Sequence, residues 1–283
     1  MIEVIEVRES LDDFIKLPLT LYAGDPFFVP QLTGEMRTHF SGANPFFKHA
    51  SAKFFLARKD GRPAGRIISF VNTVHNEFHR EKIGFFGFFE SVRDIGVAEA
   101  LFGRAEAHLG AEGMEVIRGP MNFSTNEECG FLLEGFAESP VIMMPYNPPH
   151  YNEFAEACGF RKVRDLFAYI YLMRERLPEK VLRVAAIAEK RGITVRPINM
   201  KNFKSDMMIF REVYHSAWEK NWGFVPMTEE ELEYAAGRLK QIIVPELTLI
   251  AEEDSKPIGF MGLVPDFNFV LKHMGGRMNP TFR

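Results

Sequence analysis

The first third of the chain switches between strand-like and helix-like spacing of its apolar residues. Residues 2–7 alternate apolar and polar positions, as a half-buried strand does, and the residues from 10 to Tyr22 have helical spacing. Residues 24–50 are rich in Pro, Gly and Phe and predict loops with a short helix. Apolar runs within residues 52–71 flank the turn pair Asp60-Gly61, which predicts a β-hairpin.

The next segments predict a buried strand followed by a helix. Residues 83–90 are almost wholly apolar, as in a strand buried on both faces. Residues 95–112 place apolar side chains on one helical face, and Gly113 suits the position after a helix. The later elements of this half are a short strand at 114–118, an irregular polar insertion at 122–139, a strand at 141–144, a helix at 151–158 and a closing strand at 165–173.

The pattern then restarts. A helix at 177–190 leads to a strand at 192–198, then helices at 203–221 and 228–243 and a hairpin at 247–264. Four hairpin residues recur with an offset of 194: Ala57, Asp60, Pro63 and Gly65 correspond to Ala251, Asp254, Pro257 and Gly259. Residues 28–30 (FVP) recur as 224–226, offset by 196. We therefore predict one fold unit used twice. The second copy stops before any counterpart of the strand at 83–90, so either the chain is a fragment or this copy is a half-unit.

Charge and composition narrow the classes of function. Lys and Arg number 34 against 38 Asp and Glu, a net charge of −4 with a pI near 6.1, which predicts no basic surface for nucleic acid or an anionic membrane. No apolar run approaches the roughly 20 residues needed to cross a bilayer, and the alternating start does not resemble a signal peptide. The two cysteines lack paired spacing. We therefore expect a cytoplasmic protein with no disulfide framework and no metal.

Several histidines, Cys129 and the many phenylalanines are interpreted as structural residues. His75 and His79 lie between two strands, where we predict a turn, and this does not favour a metal site. Cys129 and His150 are interpreted as packing residues. The 28 phenylalanines, many in adjacent pairs, are interpreted as core packing, with an aromatic-lined channel for an acyl chain or aromatic substrate as the alternative.

The junction after the buried strand is the first candidate for chemistry. Residues 93–98 (RDIGVA) form an R-x-x-G-x-A pattern at the predicted start of a helix, where exposed backbone amides can bind a pyrophosphate. The alternative is structural, because residues 91–94 also form a helix capping box. Asp94 favours that alternative, since its carboxylate would occupy the amides and repel a phosphate.

This pattern resembles the acyl-CoA pyrophosphate loop of the GNAT acyltransferase superfamily. Residues 151–160, a helix ending in Gly-Phe before a predicted strand, resemble its second motif, and residues 87–90 and 118–122 resemble uncharacterised tandem GNAT-like proteins. The resemblance implies an α/β (α+β) fold, a mixed and mostly antiparallel sheet flanked by helices, with a partial second copy. It implies residues 1–175 as an acyl-CoA-binding domain, and 176–283 as a linker helix plus the N-terminal half of a second, incomplete domain.

The resemblance also implies a reaction. An acyl-CoA-dependent N-acyltransferase, most simply an N-acetyltransferase, would pass an acyl group from acetyl-CoA or another acyl-CoA to a small-molecule amine by direct attack, without a metal. The backbone of the strand ending at Glu90 would polarise the thioester carbonyl. The residues implied to bind the co-substrate are Phe89, Ser91, Arg93, Gly96, Val97 and Ala98.

Three further roles follow from the resemblance. Glu90 is the predicted general base, with a helix-cap or ion-pair role as its alternative. The family often has a Tyr that reprotonates the CoA thiolate, and Ala155 stands at that position, so Tyr151 and Tyr146 are the nearby candidates. Residues of the polar insertion are candidates to bind the acceptor, with a structural loop as the alternative: Asn122, Ser124, Asn126 and Glu127.

Two other functions compete with this one. A non-catalytic module on the same scaffold would sense acyl-CoA or bind a protein partner, and Asp94 and Ala155 favour it. A transferase for long acyl chains would use the phenylalanines as a chain lining. The sequence does not specify the acceptor, the acyl length or the oligomeric state.

Overall fold

The computed structural model describes residues 1–172, 177–240 and 242–278. The chain forms two compact units. The first comprises Met1–Val163, Gly223–Pro226 and Asp266–Arg283, and the second comprises Arg164–Trp222 and Met227–Pro265. The predicted division at residue 175 stays a prediction.

The first unit is built on a five-stranded sheet in the order β1-β2-β3-β4-β5. The pairings from β1 to β4 are antiparallel, and β4 pairs with β5 in parallel. The strands are β1 (Ile2–Glu6), β2 (Ala50–Lys59), β3 (Arg62–Asn72), β4 (Ile83–Ser91) and β5 (Val116–Arg118). The predicted mixed, mostly antiparallel sheet is confirmed.

Helices flank this sheet, and one of them supplies much of the core. They are α1 (Asp12–Leu21), α2 (Thr33–His39), α3 (Thr73–His79), α4 (Ile95–Ala111) and α5 (His150–Ala157), with a short 3-10 helix at Pro45–Lys48. The predicted apolar face of α4 is fully buried, and Leu101 and Phe102 pack with Phe86 and Phe89 of β4. Burying such side chains stabilises the fold by roughly 1.5–3 kcal/mol each.

Strand β4 contains an irregularity that positions the site. Its register with β3 pairs Ile68 with Gly87 but Arg66 with Glu90, so β4 has one extra residue there. Phe88, inside this bulge, has a left-handed φ of +50°. A Cβ on Gly87 would lie 1.8 Å from the carbonyl oxygen of Met121, so only glycine fits the close approach of the two backbones.

The second unit contains a three-stranded sheet in the order β6-β7-β8. Its elements are α6 (Glu179–Lys190), β6 (Ile193–Pro197), α7 (Phe203–Trp218), α8 (Glu229–Leu239), β7 (Thr248–Glu253) and β8 (Lys256–Gly262), with short 3-10 helices at Met200–Asn202 and Pro245–Leu247. Buried Asp206 accepts two hydrogen bonds from Arg196, at 2.9 and 3.1 Å, which ties α7 to the sheet. The last helix, α9 (Asn268–Met274), belongs to the first unit.

The two predicted copies of the hairpin share their register. Ala57 pairs with Gly65, and Ala251 pairs with Gly259 at the predicted offset of 194. Each hairpin has a register shift directly after that alanine. Both turns also use left-handed residues, with Asp60 at φ 51° and Asp254 at φ 48°. These equalities support the predicted repeat of the hairpin.

Three predicted elements are wrong. Residues 165–172 form no strand, and their side chains are largely exposed, with Tyr169 88% accessible, because no neighbouring strand pairs with them in the described chain. Residues 141–144 form a turn, because Met143 adopts a left-handed φ of 66° between two prolines. The predicted turn at His75 is helix α3, because the Asn72 side chain caps its start.

Within residues 1–172, 177–240 and 242–278, every helix is too short or too polar to cross a bilayer.

Candidate functional site

The first unit contains a cavity of about 130 Å³ beside the bulge of β4. Apolar side chains from α1, the 28–31 loop and the insertion line most of it. A set of polar side chains also lines it: Gln31, Arg66, Glu90, Asn122, Glu128, Tyr146 and Asn147. A dry cavity of about 150 Å³ holds one benzene ring, so this β4 cavity has room for a head group and a few carbons.

Glu90 lies at the wall of the β4 cavity, at the end of β4. Its side chain is 12% exposed. The hydroxyls of Tyr22 and Tyr151 donate hydrogen bonds to its Oε2 atom at 2.8 and 2.9 Å, and Nη2 of Arg66 lies 3.7 Å from Oε1. The bulge produces this arrangement, because it sets Glu90 directly across from Arg66 on β3.

Burial dominates the electrostatics around Glu90. It raises the pKa of the Glu90 carboxyl, while Arg66 and the two tyrosine hydroxyls act in the opposite direction. Burial also raises the pKa of Tyr22 and Tyr151 well above the usual value, so both hydroxyls keep their protons at neutral pH and act as donors. Nη1 of buried Arg66 donates to the carbonyl of Phe14 at 2.8 Å, and its Nε atom has no hydrogen-bond partner in the described chain.

Two side chains bond the backbone amides of β4 beyond its pairing with β5. The two strands pair only as far as Phe85 and Arg118. Beyond that point, the backbone N–H of Phe88 donates to Oδ1 of Asn122 at 2.8 Å, and the N–H of Ser91 donates to the Tyr151 hydroxyl at 2.7 Å. The β4 amides expected to polarise a thioester are therefore bonded to side chains in this structure.

Glu128 is a second carboxyl on the wall of the β4 cavity. Its Oε2 accepts a hydrogen bond from Nδ2 of Asn122 at 3.1 Å, and Gln31 donates another. The backbone N–H of Asn122 also bonds the carbonyl of Glu128 at 2.9 Å. Burial, followed by the negative charge of Glu127, raises the pKa of Glu128 to about 7.

The start of α4 is capped from within the chain. The Asp94 carboxylate accepts from the N–H of Gly96 at 2.9 Å, and the Asp94 carbonyl accepts from Val97 and Ala98. Lys59 forms an ion pair with the same carboxylate, and hydrogen bonds lower the pKa of Asp94. The residues of the R-x-x-G-x-A pattern thus form a capped helix, and a pyrophosphate there would have to displace Asp94.

The remaining predicted residues divide between the cavity and the surrounding loops. Tyr146 lines the cavity, and its hydroxyl donates to Asp25 at 2.8 Å; burial raises its pKa. Phe89 lines the cavity and stacks on Phe102 at 4.6 Å. Near the start of α4, Arg93 is exposed, and Ser91, the last residue of β4, is buried. In the insertion, the Ser124 hydroxyl accepts a hydrogen bond from the N–H of Asn126, and the Glu127 carboxylate lies 3.3 Å from the His39 ring.

Sequence reasoning missed three polar residues of the site. Arg66 is a cation inside the apolar part of β3, and that position is a signal for a buried partner. Tyr22 comes to Glu90 from 68 residues away, at the end of α1. Glu128 is one of two adjacent glutamates in the insertion, and only the fold distinguishes it from Glu127.

The other candidate chemistries do not form a site. Burial raises the pKa of the Cys129 thiol, which keeps it protonated at neutral pH. His75 and His79 lie on one face of α3 with ring centroids 4.4 Å apart. Among the residues that the structure describes, no group of three or more His, Cys, Asp or Glu side chains has the geometry to hold a metal ion.

Comparison with known proteins gives two relatives, both longer than this chain. The chain is 35% identical to protein YghO of Escherichia coli over 96% of its length and 70% of that protein, and 32% identical to the bacterial ceramide synthase of Caulobacter vibrioides over 98% and 72%. No family model matches the chain.

Solved acetyltransferase structures are more distant. A tandem GNAT protein from the clavulanic acid biosynthesis pathway matches 92% of the chain and 73% of its own length, with 13% identity and a TM-score of 0.49. The glucosamine N-acetyltransferase region of a fungal β-N-acetylglucosaminidase matches 92% of the chain and 27% of its own, with 13% identity and a TM-score of 0.48. The identities of 32–35% over nearly the whole chain show that this protein belongs to the GNAT-like family of YghO and bacterial ceramide synthase.

Proposed function

We propose that the protein transfers an acyl group from acyl-CoA to the amine of an acceptor that carries an apolar chain. The observation behind this proposal is the β4 cavity, where two partly buried carboxyls, Glu90 and Glu128, stand at a wall that also carries many apolar side chains. Such a cavity suits a substrate with a polar reacting head and an apolar body.

The name of one relative gives the acceptor a chemical class. A ceramide synthase makes the amide of a fatty acid and a long-chain amino alcohol, and this chain is 32% identical to a bacterial one. A long-chain amino alcohol has the polar head and apolar chain that the cavity favours. The cavity holds only the head and a few carbons, so the rest of the chain would extend beyond it.

The reaction needs a group that removes a proton from the amine, since an ammonium has no lone pair for attack. Glu90 and Glu128 are the two candidates that line the cavity. The acyl-CoA would lie beside β4 and the start of α4, along the residues named from the resemblance. Tyr151 and Tyr146, both protonated near neutral pH, are candidates to donate a proton to the leaving thiolate.

The direct test is an acceptor and donor screen on the purified protein. Acyl-CoAs from acetyl-CoA to palmitoyl-CoA would be combined with a long-chain amino alcohol, a short amino alcohol and glucosamine, and free thiol release would be measured together with amide formation by mass spectrometry. We expect turnover with the long-chain amino alcohol. Turnover with glucosamine alone would contradict the apolar acceptor, and thiol release without amide would contradict N-acyl transfer.

A second candidate is binding of acyl-CoA without chemistry. The capping of Gly96 by Asp94 and the hydrogen bond from the Phe88 N–H to Asn122 favour it, because both leave the expected co-substrate contacts occupied. Calorimetry distinguishes the two candidates: a sensor binds acyl-CoA and releases no thiol with any acceptor in the screen.

A further inference from the structure

We propose that Glu128 accepts the proton from the acceptor's amine, and that Glu90 is a positioning residue that holds a fixed negative charge beside it. This inference rests on the proposed acyl transfer. The sequence motif predicts Glu90 as the general base, whereas the contacts in the cavity assign that role to Glu128.

Burial raises the pKa of Glu90, and its hydrogen bonds act against burial by favouring the ionised form. Its Oε2 already accepts two tyrosine hydroxyls at 2.8 and 2.9 Å, and its Oε1 faces the Arg66 guanidinium at 3.7 Å. Charge-assisted bonds of this kind stabilise the carboxylate over the acid. A proton arriving at Glu90 would have to displace or reorient these donors, which makes it a poor acceptor during turnover.

The hydrogen-bond donors to Glu128 are neutral amides, and no cation of the described chain lies as close to it as Arg66 lies to Glu90. Its carboxylate accepts from the side-chain amides of Asn122 and Gln31. The Asn122 amide is itself fixed, because its Oδ1 accepts the N–H of Phe88 in the β4 bulge, which leaves its NH₂ directed at Glu128. Two neutral amides orient the carboxylate without fully neutralising it, and this leaves the proton affinity that a base needs.

The charges around Glu128 come from several elements. Glu127 and Glu90 both disfavour its ionised form, and Arg66 lies close enough to interact with it. His39 of α2 lies 3.3 Å from the Glu127 carboxylate. Tyr146, which is bonded to Asp25, and the Cys129 thiol also line the cavity. The balance leaves Glu128 with a pKa of about 7, which suits a base at neutral pH.

The proposed step transfers one acyl group to the amine and releases one proton. The ammonium of the acceptor gives one proton to Glu128, which later releases it to solvent, and the free amine attacks the thioester carbonyl carbon. The C–N bond forms, the tetrahedral intermediate collapses and the C–S bond breaks. The second proton leaves the nitrogen and the CoA thiolate gains one. The products are the amide, free CoA and one proton in solution.

The test compares Glu128→Gln with Glu90→Gln in the acyl-transfer assay, across a range of pH. We expect Glu128→Gln to lower kcat by about 10²–10⁴-fold, to leave the affinity for acyl-CoA nearly unchanged, and to lose the fall of kcat below pH of about 7. Glu90→Gln should keep that fall but move it to lower pH, because a negative charge beside Glu128 is removed.

Two further variants separate chemistry from folding. Glu134→Gln removes an exposed carboxylate from the same insertion and should match wild type. Glu128→Asp keeps a carboxyl and should retain part of the activity and the pH dependence. Turnover of Glu128→Gln at the wild-type rate, or loss of the pH dependence in Glu90→Gln instead, would overturn the assignment and leave the proposed function intact. A wild type without turnover on any acceptor would overturn both.

Discussion

Replacing Glu128 by Gln should change how the stability of the folded protein depends on pH. The folded state raises the pKa of Glu128 from 4.5 to about 7, so between these values the folded chain binds more protons at this site than the unfolded chain. Linkage then requires stability to fall as pH rises through that interval, and to stay lower above it. Gln does not titrate, so the variant should lack this fall.

The magnitude follows from the shift. A pKa displaced from 4.5 to about 7 corresponds to about 3.4 kcal/mol at most, since one unit is about 1.36 kcal/mol. The two-pKa linkage expression gives about 0.8 kcal/mol of that penalty at pH of about 5 and about 3.3 kcal/mol near pH 8. We therefore expect the free energy of unfolding of Glu128→Gln, relative to wild type, to improve by about 2.5 kcal/mol between these conditions.

Urea unfolding of the two proteins at several pH values between about 5 and 8 measures this difference. The comparison across pH cancels the change in hydrogen bonding between Glu and Gln, which is the same at each pH. Glu134→Gln, an exposed site, should follow wild type at every pH. Curves for wild type and Glu128→Gln that run parallel throughout would refute the raised pKa and, with it, the base assigned to Glu128.

Two other predictions concern glycines. Gly87→Ala should destabilise the protein by at least about 1–3 kcal/mol, because its Cβ would overlap the Met121 carbonyl; thermal unfolding against Gly103→Ala, which has open space, measures this. Gly96→Glu should abolish acyl-CoA binding in calorimetry if the start of α4 holds the pyrophosphate, whereas Gly103→Glu, exposed on the same helix, should bind normally. Equal binding by both would place the co-substrate elsewhere.

Local pattern predicted the elements whose partners are close in sequence. The β2–β3 hairpin follows from its turn pair, and α4 follows from its apolar face and the glycine after it. The same reasoning failed at residues 165–172, because an apolar run predicts a strand only if another strand is present to pair with it. It also failed at α3, because residues 73–79 have no clear helical spacing of apolar residues and the helix starts at a cap supplied by the Asn72 side chain.

The site was predictable only in part, for a related reason. Glu90 was identifiable, since a carboxylate at the end of an apolar strand is conspicuous. Its partners Tyr22 and Tyr151 lie 68 and 61 residues away, on separate helices, and no spacing relates them to it. The choice between Glu127 and Glu128 depends on which side chain turns into the cavity, and that is a property of the folded insertion.

The extra residue in β4 changes which face of the sheet each later side chain occupies. Phe86 and Phe89 both pack under α4, three positions apart, whereas an uninterrupted strand would repeat every two. If the same sequence ran as a regular strand, Phe86, Phe88 and Glu90 would share one face, and Glu90 would point into the apolar layer beneath α4. The bulge therefore shifts the alternation of side chains along β4 by one residue, so that Glu90 lines the cavity and stays out of the core beneath α4.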